Sequence, residues 1–327
     1  MTGAAGFIGS HVAASLNHSG NEVLCVDNFS DYYDPEIKKL RVSEILTGLD
    51  FMESDLSQHN LVEGLFKEFR PNSVVHLAAQ AGVRLPQKNY SNYVRDNLLG
   101  FSNVAIMAAE AGVSDFIYAS SSSVYGDQAR IPYIEDEKNL KPKSFYGATK
   151  LSNEVLAATL SFQMGMRTRG LRFFTVYGPW GRPDMAYFRL ISNALVNAPY
   201  KLFGDGNIRR DFTYIDDTVR STVNLLGNLY LKPRGFADVV NVGGGSPRSI
   251  NELISVINQV SAKTIVKENV APDSADAAIT SADSTYLESL IGHHPFKSLE
   301  KGIQETYTWA SRPEITKHLQ RWVDSAP

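Results

Sequence analysis

Cysteine is nearly missing from the 327-residue chain. Cys25 is the only one, so no intramolecular disulfide can form and disulfide-stapled small folds are excluded. It sits inside the apolar run VLCVD and reads as a small buried core residue of a protein kept in a reducing compartment. No run of five like charges occurs, and 32 basic against 35 acidic residues leave a formal charge of −3. Neither a nucleic-acid face nor a polybasic membrane patch is expected, and any anionic ligand must be held by local groups. No stretch of 18 apolar residues exists, and the glycine-rich opening lacks a basic segment. A membrane span and a signal peptide are therefore not expected, and a cytoplasmic location is. Internal repeats and low-complexity segments are also missing, and no metal site is expected.

What is present is an ordinary globular composition, 43% hydrophobic and 20% charged, on a chain about twice the usual domain length. Apolar strand-like runs at 22–27, 73–78, 115–120 and 168–174 alternate with helix-length segments. This alternation predicts an α/β fold of Rossmann type, a doubly wound parallel sheet covered on both faces. After residue 175 the pattern loosens into GPWGRPD, FGDGNIRRD and VGGGSPRS, with helices expected near 186–198, 215–231 and 250–261. We therefore expect a dinucleotide-binding domain over 1–174 and a smaller substrate lobe over 175–327, the chain re-entering the sheet within 212–243, where VVNVG stands at 239–243.

The opening TGAAGFIGSHV spaces Gly3, Gly6 and Gly9 by three, ahead of a helical pattern. Such glycines permit a tight turn and let backbone N–H groups approach a pyrophosphate, with Phe7 and Ile8 at the helix start. Eighteen residues after Gly9, the next strand ends in Asp27, followed by Asn28. A carboxylate there accepts the adenosine ribose hydroxyls and repels a 2′-phosphate, which favours NAD over NADP. Asp55, followed by Leu56, reaches the adenine or else caps the helix expected at 57–70. Leu77, Ala78 and Ala79, at and just past the end of the 73–78 run, complete the expected cofactor contacts. The chain opens at Met1-Thr2, where a dinucleotide fold has its central strand: either about five residues of a first strand are missing, or the sheet is built without its usual centre.

Downstream of DFIYAS stands the serine cluster Ser120–Ser123, then VYG, and 20 residues on comes YGATK. Tyr146 and Lys150 lie four apart on one helix face. An ammonium beside a phenol stabilises the phenolate and brings its pKa from about 10 toward a working range. A serine from the preceding strand end can hydrogen-bond the same substrate oxygen.

The segments TGAAGFIGSHV, HLAAQAGVR, SSSSVYG, YGATK, VYGPWGRPDMAYF and RRDFTYIDD together resemble the extended short-chain dehydrogenase/reductase superfamily, over nearly the whole chain. Within it, DNFSDYYDP, AAQAGVR and GPWGRPDMA are most similar to the UDP-glucuronate 4-epimerases. The resemblance implies a tightly held NAD that oxidises the sugar C4 hydroxyl and returns hydride to the opposite face of the ketone. It implies Tyr146 as general base and then acid, Lys150 as its tuning partner on the nicotinamide ribose, and Ser121 as hydrogen-bond partner of the C4 oxygen. A 4-keto uronic acid loses CO2 easily, so its carboxylate must be fixed; Ser122, Ser123, Thr175 and Arg182 are assigned to that clamp. Superfamily decarboxylases carry a glutamate just before VYG, and the 4,6-dehydratases carry an Asp-Glu pair after the active-site hydroxyl. Ser122-Ser123 here favours simple epimerisation.

Arg210 resembles the diphosphate-binding arginine of these enzymes, with Arg209 left solvated. Arg84 and Asn97 match positions that order loops around the nicotinamide or touch its ligands. One departure is Asp273-Ser274-Ala275-Asp276, which puts an acid where the related segment carries a Gly-Asp preceded by Arg or Gln. A homodimer through helices near 89–112 and 144–167 is implied as well. Two other readings stay open: a UDP-glucose-type 4-epimerase, and a non-catalytic NAD-binding sensor or scaffold.

Overall fold

The computed structural model describes residues 1–83, 86–271 and 277–326. In chain order the elements are α1 (Phe7–His18), β1 (Leu24–Asp27), α2 (Glu36–Ile45), β2 (Asp50–Glu53), α3 (His59–Phe69), β3 (Ser73–His76), α4 (Tyr90–Tyr93), α5 (Gly100–Glu110), β4 (Asp115–Ser121) and α6 (Phe145–Met164). They continue as β5 (Arg167–Phe173), β6 (Thr175–Tyr177), α7 (Ala186–Val196), β7 (Tyr200–Phe203), β8 (Arg209–Tyr214), α8 (Ile215–Tyr230), β9 (Ala237–Val242) and β10 (Pro247–Ser249). The last are α9 (Ile250–Ser261), β11 (Lys267–Val270), α10 (Thr285–Ile291), α11 (Leu299–Ala310) and α12 (Pro313–Ser325).

Strands β1 and β2 pair in parallel, as do β3, β4, β5 and β9 in that order. Thr2 joins the two groups, with parallel bridges to Val26 on one side and His76 on the other. Its amide donates to Val75 and its carbonyl accepts from Leu77, while Val26 donates to Met1. Met1 and Thr2 thus occupy the centre of the sheet, and the strand order is that of a doubly wound fold. Helix α1 packs with α2 and α8 on one face, and α3, α5 and α6 pack together on the other. Two apolar clusters fill those faces, and the first continues into the C-terminal half around Trp309 and Trp322.

The runs expected as strands appear at β1, β3, β4 and β5, shorter at β1 and β3 than their apolar stretches. Strand β3 stops at His76 because Leu77–Ala79 leave the sheet to line a cavity. Helices α7, α8 and α9 fall where they were expected, and β9 pairs with β5. Strand β2 is absent from the sequence reading; being largely solvent-facing, it has no apolar run to betray it. Outside the main sheet, β8 pairs antiparallel with β10 and parallel with β6, and β7 pairs with β11.

Two histidines of this core are held neutral by burial. His76 Nδ1 lies 2.9 Å from the Thr2 hydroxyl, and its Nε2 has no hydrogen-bond partner among the described residues. Burial first, then the Lys150 ammonium and the chain's amino group, push its pKa down to about 3. Burial likewise pushes His11 down to about 4. Between those values and the ordinary 6.5 the unfolded chain binds more protons than the folded one, so stability rises with pH there and is lost as pH falls. For His76 the loss between pH 6.5 and pH 4 is roughly 3 kcal/mol at about 1.4 kcal/mol per unit. Urea unfolding from pH 7 to pH 4 should show this slope, and His76→Asn should remove about one proton from it. An unchanged slope in that variant would contradict a neutral buried His76.

Candidate active site

A cavity of about 820 Å³ runs from the glycine turn, past the ends of β3 and β4, to the start of β7 and β8. It is large enough for a dinucleotide and a second ligand meeting end to end. At one end lie Gly3, Gly6, Phe7, Ile8 and Gly9, with Asp27, Asn28, Asp55 and Leu56 beside them and Leu77, Ala78 and Ala79 across the opening. A Cβ at Gly9 would lie 1.9 Å from the Gly3 carbonyl oxygen, so no larger residue lets α1 start so close to the turn. The N-terminal N–H groups of α1 open on this cradle, as a pyrophosphate requires. Asp27 ends β1, and its two carboxylate oxygens accept from the Ala5 amide at 3.1 Å and the Phe29 amide at 2.9 Å. These bonds orient the carboxylate at the cavity wall, where its remaining lone pairs can meet ribose hydroxyls. The donor set and the space fit NAD. Asp55 accepts from the Ser57 amide at 2.9 Å in a turn and does not cap α3, whose cap position is Gln58.

In the middle stand Ser121, Ser122, Ser123, Tyr146, Lys150, Thr175 and Arg182, all on the same cavity. Ser121 ends β4; its hydroxyl accepts from the Ser123 amide at 3.1 Å and lies 3.2 Å from the Ser123 hydroxyl. Ser144 caps α6 by accepting from Gly147, which places Tyr146 in the helix's first turn. A Cβ at Gly147 would lie 2.6 Å from the Ser123 carbonyl oxygen, so glycine lets the helix press Tyr146 onto the serine turn. Lys150 follows one turn on, buried, its Nζ donating to the Ala119 carbonyl at 2.9 Å and lying 5.8 Å from the Tyr146 ring centre.

The electrostatics differ from expectation at Tyr146. Burial raises the phenol's pKa above its ordinary value, and the opposing influences are Arg182 and Ser121. Burial lowers Lys150 to about 8, and its proton is directed at a backbone carbonyl. The protein alone therefore does not bring the phenol into a working range through Lys150. A cationic nicotinamide beside it would add the positive charge that favours phenolate.

Arg182 is paired with Asp184 through both oxygens, at 3.0 and 2.5 Å, and its guanidinium lies 6.0 Å from the ring centre of Tyr32. At the far end Arg210 lines the cavity and donates to the Ala277 carbonyl at 2.7 Å. Arg209, expected to be solvated, has a 41% exposed side chain that pairs with the similarly exposed Glu252 at 3.3 Å and donates to the Pro247 carbonyl. Asn97 does not line the cavity. It lies on a π-turn (Val94–Leu99) between α4 and α5, exchanging hydrogen bonds with the Gln80 backbone and donating to Thr149. It therefore orders the loop after β3 from behind. Arg84 and Asp273–Asp276 lie outside the described residues.

Sequence reasoning missed a buried network directly behind the centre. Glu154, four residues after Lys150, accepts a bidentate pair from Arg172 at 2.9 and 2.8 Å and a bond from Ser120 at 2.5 Å. Arg172 also donates to the Tyr125 hydroxyl, which donates to Asn241. The same four-residue spacing that pairs Tyr146 with Lys150 was the available signal for Glu154.

The family model described as the NAD dependent epimerase/dehydratase family matches residues 1–243. The chain is 38% identical to UDP-glucuronate 4-epimerase 3 of Arabidopsis thaliana, over 94% of this chain and 75% of that one. It is also 38% identical to UDP-glucuronate 4-epimerase of Thermodesulfobacterium geofontis, over 98% of each. The structure of UDP-glucuronic acid 4-epimerase from Bacillus cereus in complex with UDP-glucuronic acid and NAD is similar, with a TM-score of 0.87 and 33% identity, over 94% of this chain and 97% of that one. The glycine cradle, the Ser-Tyr-Lys centre and these likenesses agree: the chain belongs to the NAD dependent epimerase/dehydratase family.

Proposed function

We propose that the protein is an NAD-dependent 4-epimerase that interconverts UDP-glucuronate and UDP-galacturonate. One observation carries this reading: Tyr146, Lys150 and Ser121 share one cavity with a dinucleotide cradle on one side and Arg182 on the other. Bound NAD supplies the hydride acceptor and donor at C4. Tyr146 takes the C4 hydroxyl proton and later returns it, Ser121 hydrogen-bonds the same oxygen, and Lys150 binds the nicotinamide ribose and supplies nearby positive charge. Ser122, Ser123, Thr175 and Arg182 hold the sugar carboxylate so that its bond to C5 does not align with the C4 ketone, which suppresses loss of CO2. Arg210 holds the diphosphate. Residues 1–174 serve mainly the cofactor and 175–327 mainly the sugar nucleotide.

We also propose a homodimer through α5 and α6, whose outward faces expose Ile106, Val155, Leu156 and Phe162. No helix among the described residues is long and apolar enough to cross a membrane. A cytoplasmic enzyme is consistent with its lone buried cysteine.

Heating the purified protein should release close to one NAD per chain, and the unheated protein should convert UDP-glucuronate to UDP-galacturonate without added NAD. Turnover confined to neutral UDP-hexoses would make it a UDP-glucose-type 4-epimerase. Bound NAD with no turnover of any sugar nucleotide would point instead to a sensor or scaffold.

A further inference from the structure

Arg41 on α2 is fully buried, yet among the described residues no carboxylate pairs with it. Its planar fork is spent on four neutral acceptors in three separate segments. Nε donates to the Trp180 carbonyl at 2.9 Å and Nη2 to the Gly181 carbonyl at 2.9 Å. Nη1 donates to the Ala5 carbonyl at 3.1 Å and to the Tyr33 hydroxyl at 2.9 Å. An apolar residue of similar volume would avoid the cost of burying the charge, so the stability of the core alone does not call for an arginine here. What a guanidinium does, and a lysine cannot, is hold carbonyls of two loops in one plane.

Those two loops are the ones the chemistry needs held in register. Ala5 precedes the phosphate cradle at Gly6 and donates its own amide to Asp27. Trp180 and Gly181 precede Arg182. Trp180 has a φ of 63°, a left-handed conformation that a tryptophan adopts only under constraint. The bond from Arg41 fixes its carbonyl, while its ring packs on Trp309 with centres 5.2 Å apart. Tyr33, the fourth acceptor, adjoins Tyr32, the ring beneath Arg182. The backbone leading into Arg182 is thus tied through one side chain to the turn that cradles the cofactor.

We propose that Arg41 is a positioning residue for acid selection: it fixes the Trp180–Gly181 backbone against the phosphate loop and so sets where Arg182 meets the sugar carboxylate. The inference rests on the reading of Arg182 as the carboxylate clamp.

The test uses NAD-loaded protein carrying Tyr146→Phe, so that binding is measured without turnover. Calorimetric titration with UDP-glucuronate and with UDP-glucose gives two dissociation constants for each further variant. Arg41→Lys should weaken UDP-glucuronate about 10-fold and UDP-glucose less than about 2-fold. Adding Arg41→Lys to Arg182→Ala should cost nothing further, because the first acts through the second. Equal weakening of both ligands, or losses that add in the double variant, would overturn the proposal and leave Arg41 a purely structural residue. If Arg182→Ala itself weakens both ligands equally, the clamp reading fails, and the Arg41 proposal fails with it. If Arg41→Lys does not fold, Tyr33→Phe removes one of the four acceptors and should give the same selective loss at about 3-fold; equal weakening of both ligands there would overturn the proposal as well.

Discussion

Tyr146→Phe should leave the protein folded, with its NAD in place, and reduce epimerisation by roughly three orders of magnitude, the range expected when a positioned acid–base group is removed. The hydroxyl is the group at stake, because the ring's place is set by other contacts: Ser144 caps the helix, Gly147 seats it against Ser123, and Tyr93 lies 6.1 Å away centre to centre. The checks are the NAD content of the purified variant, its thermal midpoint, and product formation from UDP-glucuronate. Near wild-type rates would remove Tyr146 from the chemistry; loss of NAD along with activity would move its role to cofactor binding. Burial raises this phenol and lowers Lys150 to about 8, so the two pKa values are driven apart and Lys150 loses its proton before the phenol does. The rate in the wild-type enzyme should therefore rise with pH as phenolate forms and level off near pH 8, where the gain in phenolate is offset by the loss of the Lys150 proton. In Tyr146→Phe the rising limb should vanish.

The parts of this site that could be read from sequence are those where a local pattern is itself the device. Gly3, Gly6 and Gly9 work because three small residues at that spacing open a turn onto a helix end, and the turn is complete within ten residues. Tyr146 and Lys150 work because a helix brings positions four apart together. Arg182 could be placed near the substrate only by resemblance, and its neighbours could not be read at all. Asp184 pairs with it from the same loop, but Tyr32 and Arg41 come from far earlier in the chain, and no local pattern in DYYDPEIKKLR ties either of them to Arg182. Strand β2 was hidden by exposure, and the π-turn that carries Asn97 was hidden too, since no periodicity announces it. The effect of Lys150 on Tyr146 was misjudged for a related reason: sequence shows that two side chains adjoin, and not that burial acts on both.

Arg182→Ala should separate acidic from neutral sugars more sharply than any other single change. Asp184 takes one N–H each from Nε and Nη2, so three N–H groups of Arg182, two of them on Nη1, are left to meet a second carboxylate in a planar, directed contact rather than as an unpaired charge. Removing it takes a charge-assisted pair from the uronate and leaves Asp184 ionised and unpartnered beside the substrate, where it repels that carboxylate. A UDP-hexose carries no such group and loses neither term. A lost charged hydrogen bond of about 1.5–3 kcal/mol corresponds to roughly 10- to 150-fold in kcat/KM for UDP-glucuronate. The change for UDP-glucose should stay within about 3-fold. The same variant should release CO2 during turnover of UDP-glucuronate, because a 4-keto ring whose carboxylate is no longer held can pucker until the breaking C5–C6 bond stands in line with the ketone's π system. Trapped CO2 and the appearance of a UDP-pentose report this directly, independently of the rate. Equal losses on both sugars, with no pentose formed, would mean that Arg182 shapes the cavity and that the serine turn at Ser122 and Ser123 holds the carboxylate by itself. Adding Asp184→Asn to Arg182→Ala separates the two terms, since it should restore the part of the uronate's loss that comes from repulsion and none of the part that comes from the missing guanidinium.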